Sequence, residues 1–305
     1  MPSRPDLPPA STGRPGLAVL VAAGGIAMFA LMDALMKRAS LADGVYPALL
    51  ARNLIGVAIV LPLWAARGRR WPGAGAMRLH VVRGLLVAAM SLTFFWGLVR
   101  LPMAEAIALS FVAPLVALWL AAIHLGERIQ PRAILAAVFG LAGVVLIAAF
   151  QIGSGPARSP DAAWGIAAVL LSSLFYAVSL VVQRRQAQLA EPLEIALSQN
   201  VVVSLALLPL APWLWHAPGS EALIDVAGAA FLASGSLILL AWAYARAEAQ
   251  VLVPVEYTAF AWSALMGYWW FSERLSLATL AGATLIVFGV WQGTRGGRPA
   301  PPPPV

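Results

Sequence analysis

The sequence predicts an all-α polytopic membrane protein in which ten transmembrane helices form two inverted five-helix repeats. Three observations lead there. The first is composition: mean hydropathy is +0.83, with 61% hydrophobic and only 11% charged residues over 305 positions, whereas soluble domains carry about a quarter charged residues. The second is a series of ten apolar segments, each of the ~20 residues that span a bilayer core. The third is a recurrence: Ala104-Glu105-Ala106 followed by Gly126-Glu127-Arg128 returns as Ala247-Glu248-Ala249 followed by Ser272-Glu273-Arg274. Each copy falls in the back half of a five-segment block, and an odd block size makes the second copy enter the membrane from the opposite side.

In order along the chain, a tail over 1–16 precedes spans at 17–38, 46–66, 78–99, 102–124 and 131–150, which form the first repeat, 17–150. The linker 151–162 contains the Gly/Ser/Pro-rich run 153–160. Spans at 163–183, 193–213, 223–245, 248–271 and 276–294 form the second repeat, 163–294. The first segment is too long for a signal-peptide core and lacks a convincing cleavage pattern, so it reads as a retained helix. The proline-rich tail 295–305 reads as extended and solvated. With the N-terminus cytoplasmic, thirteen basic residues from Arg4 to Arg298 face inward and five face outward: Lys37, Arg38, Arg100, Arg158 and Arg274. That asymmetry places both termini inside. Trp64, Trp71, Trp164, Trp213, Trp215, Trp269, Trp270 and Trp291 fall near span ends, as interfacial tryptophans do.

The duplication extends further. Arg52-Asn53 with Pro62 corresponds to Gln199-Asn200 with Pro209, Trp96 to Trp242, and Gly143-Val144 to Gly289-Val290. Gly24-Gly25, Gly140 with Gly143, and Gly282 with Gly289 read as points where helices approach closely.

Several functions are disfavoured. The chain has no cysteine and three well-separated histidines, His80, His124 and His216, so no metal site and no cofactor is expected. The formal charge of +7 belongs to topology-setting loops rather than to nucleic-acid binding. No P-loop, Gly-x-Ser-x-Gly or paired acidic motif is present, and the chain does not read as an enzyme. Its expected partners are membrane lipid and a small-molecule substrate; the sequence does not fix an oligomeric state.

Ionisable side chains at membrane depth are costly and are expected to pair or to face water. Asp33 and Arg52 both fall in the outer third of the bilayer and can pair, with Lys37 one turn beyond Asp33 as a competitor. Arg83 and Glu256 both fall in the inner third. These groups read in two ways: as ligands of a zwitterionic substrate, with Glu256 or Asp33 also able to carry a coupling proton, or as structural ion pairs that close gates. Glu127, Arg128, Glu273 and Arg274, at helix ends, read as structural, the carboxylates capping the helices that follow.

Two five-helix halves with Gly-Glu-Arg and Ser-Glu-Arg after the fourth and ninth helices resemble the EamA-type drug/metabolite transporter superfamily over residues 17 to 294. Asp33-Ala-Leu-Met-Lys37, Arg52, His80-Val-Val-Arg83-Gly84 and Ser110-Phe-Val-Ala-Pro114 are similar to the branch holding bacterial S-adenosylmethionine carriers, riboflavin carriers and amino-acid exporters. The resemblance implies a bacterial inner-membrane carrier with a cavity lined by helices one, three, four, six, eight and nine. It puts the fifth and tenth helices at the repeat or dimer-like interface and the second and seventh on the outside of the basket as supports. Trp96, Ser110, Tyr176, Trp242 and Tyr257 then join Asp33, Arg83 and Glu256 as candidate cavity residues. The spacing from Pro114 to Glu127 is shorter than from Pro254 to Glu273, which argues against a strictly symmetric cavity. The implied function is alternating-access transport of a small organic metabolite. Export of amino acids or their derivatives is the first reading, and uptake of a cofactor such as S-adenosylmethionine or riboflavin the second.

Overall fold

The computed structural model describes residues 15–68, 72–113, 116, 131–154, 161–186, 189–244 and 255–294. Among them every regular element is helical, as lipid requires of a chain that must satisfy its own backbone. In chain order these are α1 (Pro15–Asp43), α2 (Val45–Ala66), α3 (Ala74–Leu98), α4 (Met103–Ser110), α5 (Pro131–Ser154) and α6 (Asp161–Gln186). Then come α7 (Pro192–Leu207), prolonged by a 3₁₀ turn at Leu208–Leu210 and a helical turn at Ala211–Leu214, α8 (Ser220–Tyr244), α9 (Thr258–Phe271) and α10 (Leu277–Thr294).

Six stretches, in α1, α2, α3, α6, α7 with its prolongation, and α8, are long and apolar enough to cross a membrane. Val138–Phe150 in α5 and Leu277–Gly289 in α10 are shorter apolar stretches. The expected spans 102–124 and 248–271 are described only in part, as α4 and α9. Pro114, Pro254, Glu127 and Arg128 lie outside the described residues. One boundary needs correction. The sequence places the end of the first helix at 38, with Lys37 and Arg38 as its outward-facing cations, but α1 runs on to Asp43, and both cations bond to other helices or their connections.

The helices pair in a pattern with its own symmetry. α1 packs mainly on α8 and α3 on α6, while α2 packs on α7, α4 on α9 and α5 on α10. Secondary contacts are α1 with α9, α4 with α6, α2 with α8 and α3 with α7. Exchanging α1–α5 for α6–α10 in order maps this set onto itself. The chain direction reverses as well. Lys37, near the end of α1, bonds Leu101 just after α3, so α1 and α3 finish at the same end of the molecule. Gln186, at the end of α6, bonds His80 near the start of α3, so α6 runs opposite to α1.

Small residues set the closest approach. At the α5–α10 contact, a Cβ on Gly143 would lie 2.5 Å from the Gly282 carbonyl oxygen and 2.6 Å from Ile286. A Cβ on Gly282 would meet Ile147 at 2.5 Å and the Gly143 carbonyl at 2.8 Å. The two glycines therefore seat each other across the interface, whereas the sequence paired each with a neighbour on its own helix. Gly25 does pack closely, against Leu240, but Gly24 faces open space. At the α2–α7 contact, Gly56 makes room for the Asn200 amide, 2.8 Å from where a Cβ would stand.

Gly282→Leu should lower the stability of detergent-solubilised protein by about 1–3 kcal/mol, the usual cost of overpacking, while Gly24→Ala should leave it unchanged or slightly raised. Thermal unfolding of the two variants checks this, and equal melting shifts would contradict the packing described.

Candidate functional site

A network of buried polar groups ties together the end of the molecule where α1 and α3 finish. Lys37, 4% exposed, donates to the Leu101 carbonyl at 2.7 Å and to Glu273 Oε1 at 2.5 Å, and it lies over the Phe271 ring. The other carboxylate oxygen, Oε2, accepts from the Met103 amide at 2.7 Å, the first residue of α4. An anion there meets an unsatisfied amide and the positive end of the helix dipole. Glu273 reaches this position because Ser272 adopts the left-handed conformation, φ 53°, ψ 28°, and the Glu273 amide closes on the Gly267 carbonyl. Beside it the buried Glu105 accepts from Thr279 Oγ1 at 2.8 Å, and Ser276 Oγ caps α10 through the Thr279 amide. Arg38 forms a bidentate ion pair with Asp225 of α8, and Asp43 accepts from the Gly219 amide.

At the opposite end a second cluster is built around His80. Its Nε2 lies 2.8 Å from Glu194 Oε1. Its Nδ1 lies 2.6 Å from Gln186 Nε2 and 3.0 Å from Ser198 Oγ. Gln186 also accepts from Arg83 Nη1 at 3.2 Å, and the buried Arg83 Nε has no acceptor among the described residues.

Between these ends several polar and aromatic side chains on different helical segments keep accessible surface. Tyr176 is densely surrounded by protein and yet 39% exposed. Arg83 and Glu256 both act electrostatically on Tyr176, and Glu256 also acts on Tyr257. Tyr257 stands edge-on to Phe111, with ring centroids 5.3 Å apart. Nearer the α1–α2 end, Asp33 and Arg52 lie within electrostatic reach of each other, and Arg52 rests over Phe95 and against the Met32 sulfur.

Several sequence expectations change at this level of detail. Arg83, Tyr176, Glu256 and Tyr257 come together, although they stand on three different helical segments. Trp96 does not point into this group: it is exposed and carries the Arg100 guanidinium 3.4 Å from its ring centroid. Trp242 packs in a small apolar cluster with Ile26, Val255 and Trp262. Ser110 donates to the Ala106 carbonyl of its own helix. Lys37 pairs with Glu273 rather than competing for Asp33. Glu273 stabilises the start of α4 rather than of α10, which follows it and is capped by Ser276. Arg274 is exposed at the same end, and Glu127 and Arg128 lie outside the described residues. The sequence reading missed His80, Gln186, Glu194 and Asp225 as partners. A signal for the first was present, since His80 and Arg83 are three apart and share one helix face.

Among the described residues the structure is all-helical, six helices are long and apolar enough to cross a membrane, and charged and tyrosine side chains group between the two polar ends, an architecture that fits a polytopic membrane protein. The comparisons specify it further. The model of the EamA-like transporter family matches residues 16–149 and again 163–292, and the chain belongs to that family; it is a transporter and not an enzyme. It is 28% identical over 274 residues to the pseudopaline exporter CntI of Pseudomonas aeruginosa, covering 88% of this chain and 93% of that protein. It is 28% identical over 233 residues to an S-adenosylmethionine uptake transporter of Rickettsia felis, covering 75% and 76%. A crystal structure superposes with a TM-score of 0.60 at 23% identity, over 91% of this chain and 98% of that one, which shows that the fold is shared.

Glu273→Gln should destabilise the protein by about 3 kcal/mol, because it strands the Lys37 ammonium in a buried site. Lys37→Met combined with Glu273→Gln should cost clearly less than the two single changes together. A double-mutant cycle on thermal unfolding measures this, and strict additivity would show that the two groups do not support each other.

Proposed function

We propose that the protein is a secondary transporter or facilitator that moves a small organic metabolite by alternating access, its cargo being an amino acid or amino-acid derivative exported across the bacterial inner membrane. The observation that carries this reading is the grouping of Arg83, from the first half of the chain, and Glu256, from the second, about Tyr176, which keeps 39% of its surface accessible. A guanidinium and a carboxylate about one tyrosine match the carboxylate and ammonium of a zwitterion. Both charges come from different halves, so rocking one half against the other makes or breaks the site.

In this reading ten helices cross the membrane as two inverted repeats, and Glu273, Arg274, Glu127 and Arg128 are structural. The self-mapping of the helix pairs, the opposite directions of α1 and α6, and the twofold match to one family model support it. Both termini face the cytoplasm by the distribution of basic residues. The end holding Lys37 and Glu273 is then outward, and the His80 end inward. Asp33 and Arg52 form a second polar station toward the outside.

A second reading, uptake of a cofactor such as S-adenosylmethionine or riboflavin, draws on the Rickettsia relatives and on the Tyr176, Tyr257 and Phe111 rings around Glu256. Aromatic faces beside a carboxylate suit a sulfonium cation.

Counterflow into proteoliposomes, run with labelled amino acids and with S-adenosylmethionine and with or without a proton gradient, separates the two readings. Glu256→Gln and Arg83→Lys should each reduce transport of the accepted solute at least ~10-fold, about 1.4 kcal/mol; wild-type rates in both variants would overturn the central site. Because the chain has no cysteine, single cysteines placed at 128 and 274 report topology directly. Labelling of both from one side of the membrane would rule out inverted repeats.

A further inference from the structure

The inward cluster has a donor–acceptor logic that the transport reading leaves unused. Arg83 is a guanidinium and can only donate, so its 3.2 Å bond to Gln186 identifies the accepting atom as the amide oxygen. That turns the Gln186 amino group toward His80 Nδ1, 2.6 Å away. A ring nitrogen receiving an N–H carries no proton itself. His80 is therefore the tautomer protonated at Nε2, donating to Glu194 Oε1 at 2.8 Å. Ser198 has one hydroxyl proton, for which the Glu194 and Ile195 carbonyls already compete at 2.7 and 3.1 Å. Its lone pair, 3.0 Å from Nδ1, is an acceptor for any proton that arrives there.

We propose that His80 is a proton-binding site whose occupation releases Arg83. A proton added at Nδ1 sets two donors, the ring N–H and the Gln186 amino group, against each other at hydrogen-bond distance inside the protein. The amide then has to turn its oxygen to the ring or withdraw. Either movement takes the Gln186 oxygen from Arg83, whose Nε already lacks an acceptor among the described residues. Arg83 is then free to engage a carboxylate beside Tyr176 and Glu256. Among the described residues the ionisable groups interacting with the cluster are Glu194 on α7, Tyr176 on α6 and Arg83 on α3 itself, with Glu256 acting on Tyr176 from just before α9. Glu194 stays hydrogen-bonded to Nε2 in both states and balances the imidazolium charge. His80 thus acts on cargo through Arg83 as a positioning residue. That last step rests on the proposed central site, while the antagonism between proton and amide does not.

The test uses nitrogen-15 NMR of the full-length protein, labelled at histidine, in nanodiscs. Three histidines give few signals, and loss of one in His80→Gln assigns it. At alkaline pH the His80 signals should be those of the Nε2-protonated tautomer; the Nδ1-protonated form would overturn the proposal. Gln186→Leu removes the opposing donor and keeps the Arg83 charge, so His80 should hold its proton about 10-fold more tightly, a displacement of roughly one pH unit in its titration. Arg83→Met frees the same amide to turn and should shift the titration the same way, and the double variant should shift it no further than the larger single change. An unmoved titration in Gln186→Leu, or in Arg83→Met if Gln186→Leu does not fold, would sink the relay, as would additive shifts. Should the relay hold while Arg83→Lys transports every amino acid tested at the wild-type rate, the central-site reading fails alone.

Discussion

A buried lysine needs a counter-charge, and how Lys37 obtains one organises an entire end of the molecule. Moving an ammonium or a carboxylate out of water costs several kcal/mol per ion even after relaxation. The pair survives only because both groups also satisfy backbone. Lys37 bonds the carbonyl of Leu101 and Glu273 bonds the amide of Met103, so the ion pair clasps the α3–α4 connection from two sides. Three separate parts of the chain are fixed by one charge pair: α1, the start of α4, and the α9–α10 turn. The left-handed Ser272 that aims Glu273 is part of the same device, because a side chain is held there against its usual preference. The first copy of this motif has Gly126 in the corresponding place, the residue for which that conformation is free.

The remaining contacts are dominated by shape. Between helices in lipid there is little hydrophobic drive, so association depends on close packing and on interhelical hydrogen bonds. Gly143 against Gly282 and Gly56 against Asn200 supply closeness. Ser236 donating to the Gly25 carbonyl and Tyr46 donating to the Leu207 carbonyl supply the polar ties. In each of these four pairs one partner comes from α1–α5 and the other from α6–α10. The interface between the two halves of the chain is therefore one on which packing depends, and it is the interface that the proposed rocking would have to shift past small residues.

Apolar length makes six long helices legible from sequence, because ~20 consecutive apolar residues can satisfy their own backbone in lipid as a helix. The repeated Ala-Glu-Ala and Glu-Arg motifs likewise anticipated a chain whose halves pair reciprocally. Depth along the helices places Arg83 and Glu256 in the same third of the bilayer, and in the structure both act electrostatically on Tyr176. Partners were much harder to read. The sequence marks Lys37 as an ion-pair residue but points to the nearby Asp33, because nothing local shows that a carboxylate 236 residues away will be aimed at it. Trp96 and Trp242 sat at repeat-equivalent positions and suggested a shared wall, but the azimuth of a side chain is set by how its helix rotates against neighbours. His80 shows no role in the sequence, because its meaning depends on Gln186 and Glu194 arriving from α6 and α7.

The two ends of the molecule are held by chemically different locks. At the Lys37 end two full charges are tied to backbone groups, and those partners remain as acceptors and donors whatever the local proton concentration does to a histidine. At the His80 end the tie is a chain of oriented neutral groups between Arg83 and Glu194, in which one added proton reverses the sense of a hydrogen bond. A permanent ion pair has to be opened by rearrangement of the helices that carry it, whereas an oriented imidazole–amide chain can be opened by a ligand as small as a proton. If the two halves rock about a shared centre, loosening the weaker lock biases which end opens first. The difference between Lys37–Glu273 and His80–Gln186–Arg83 would then distinguish the two ends of a scaffold whose helix pairing is itself symmetric.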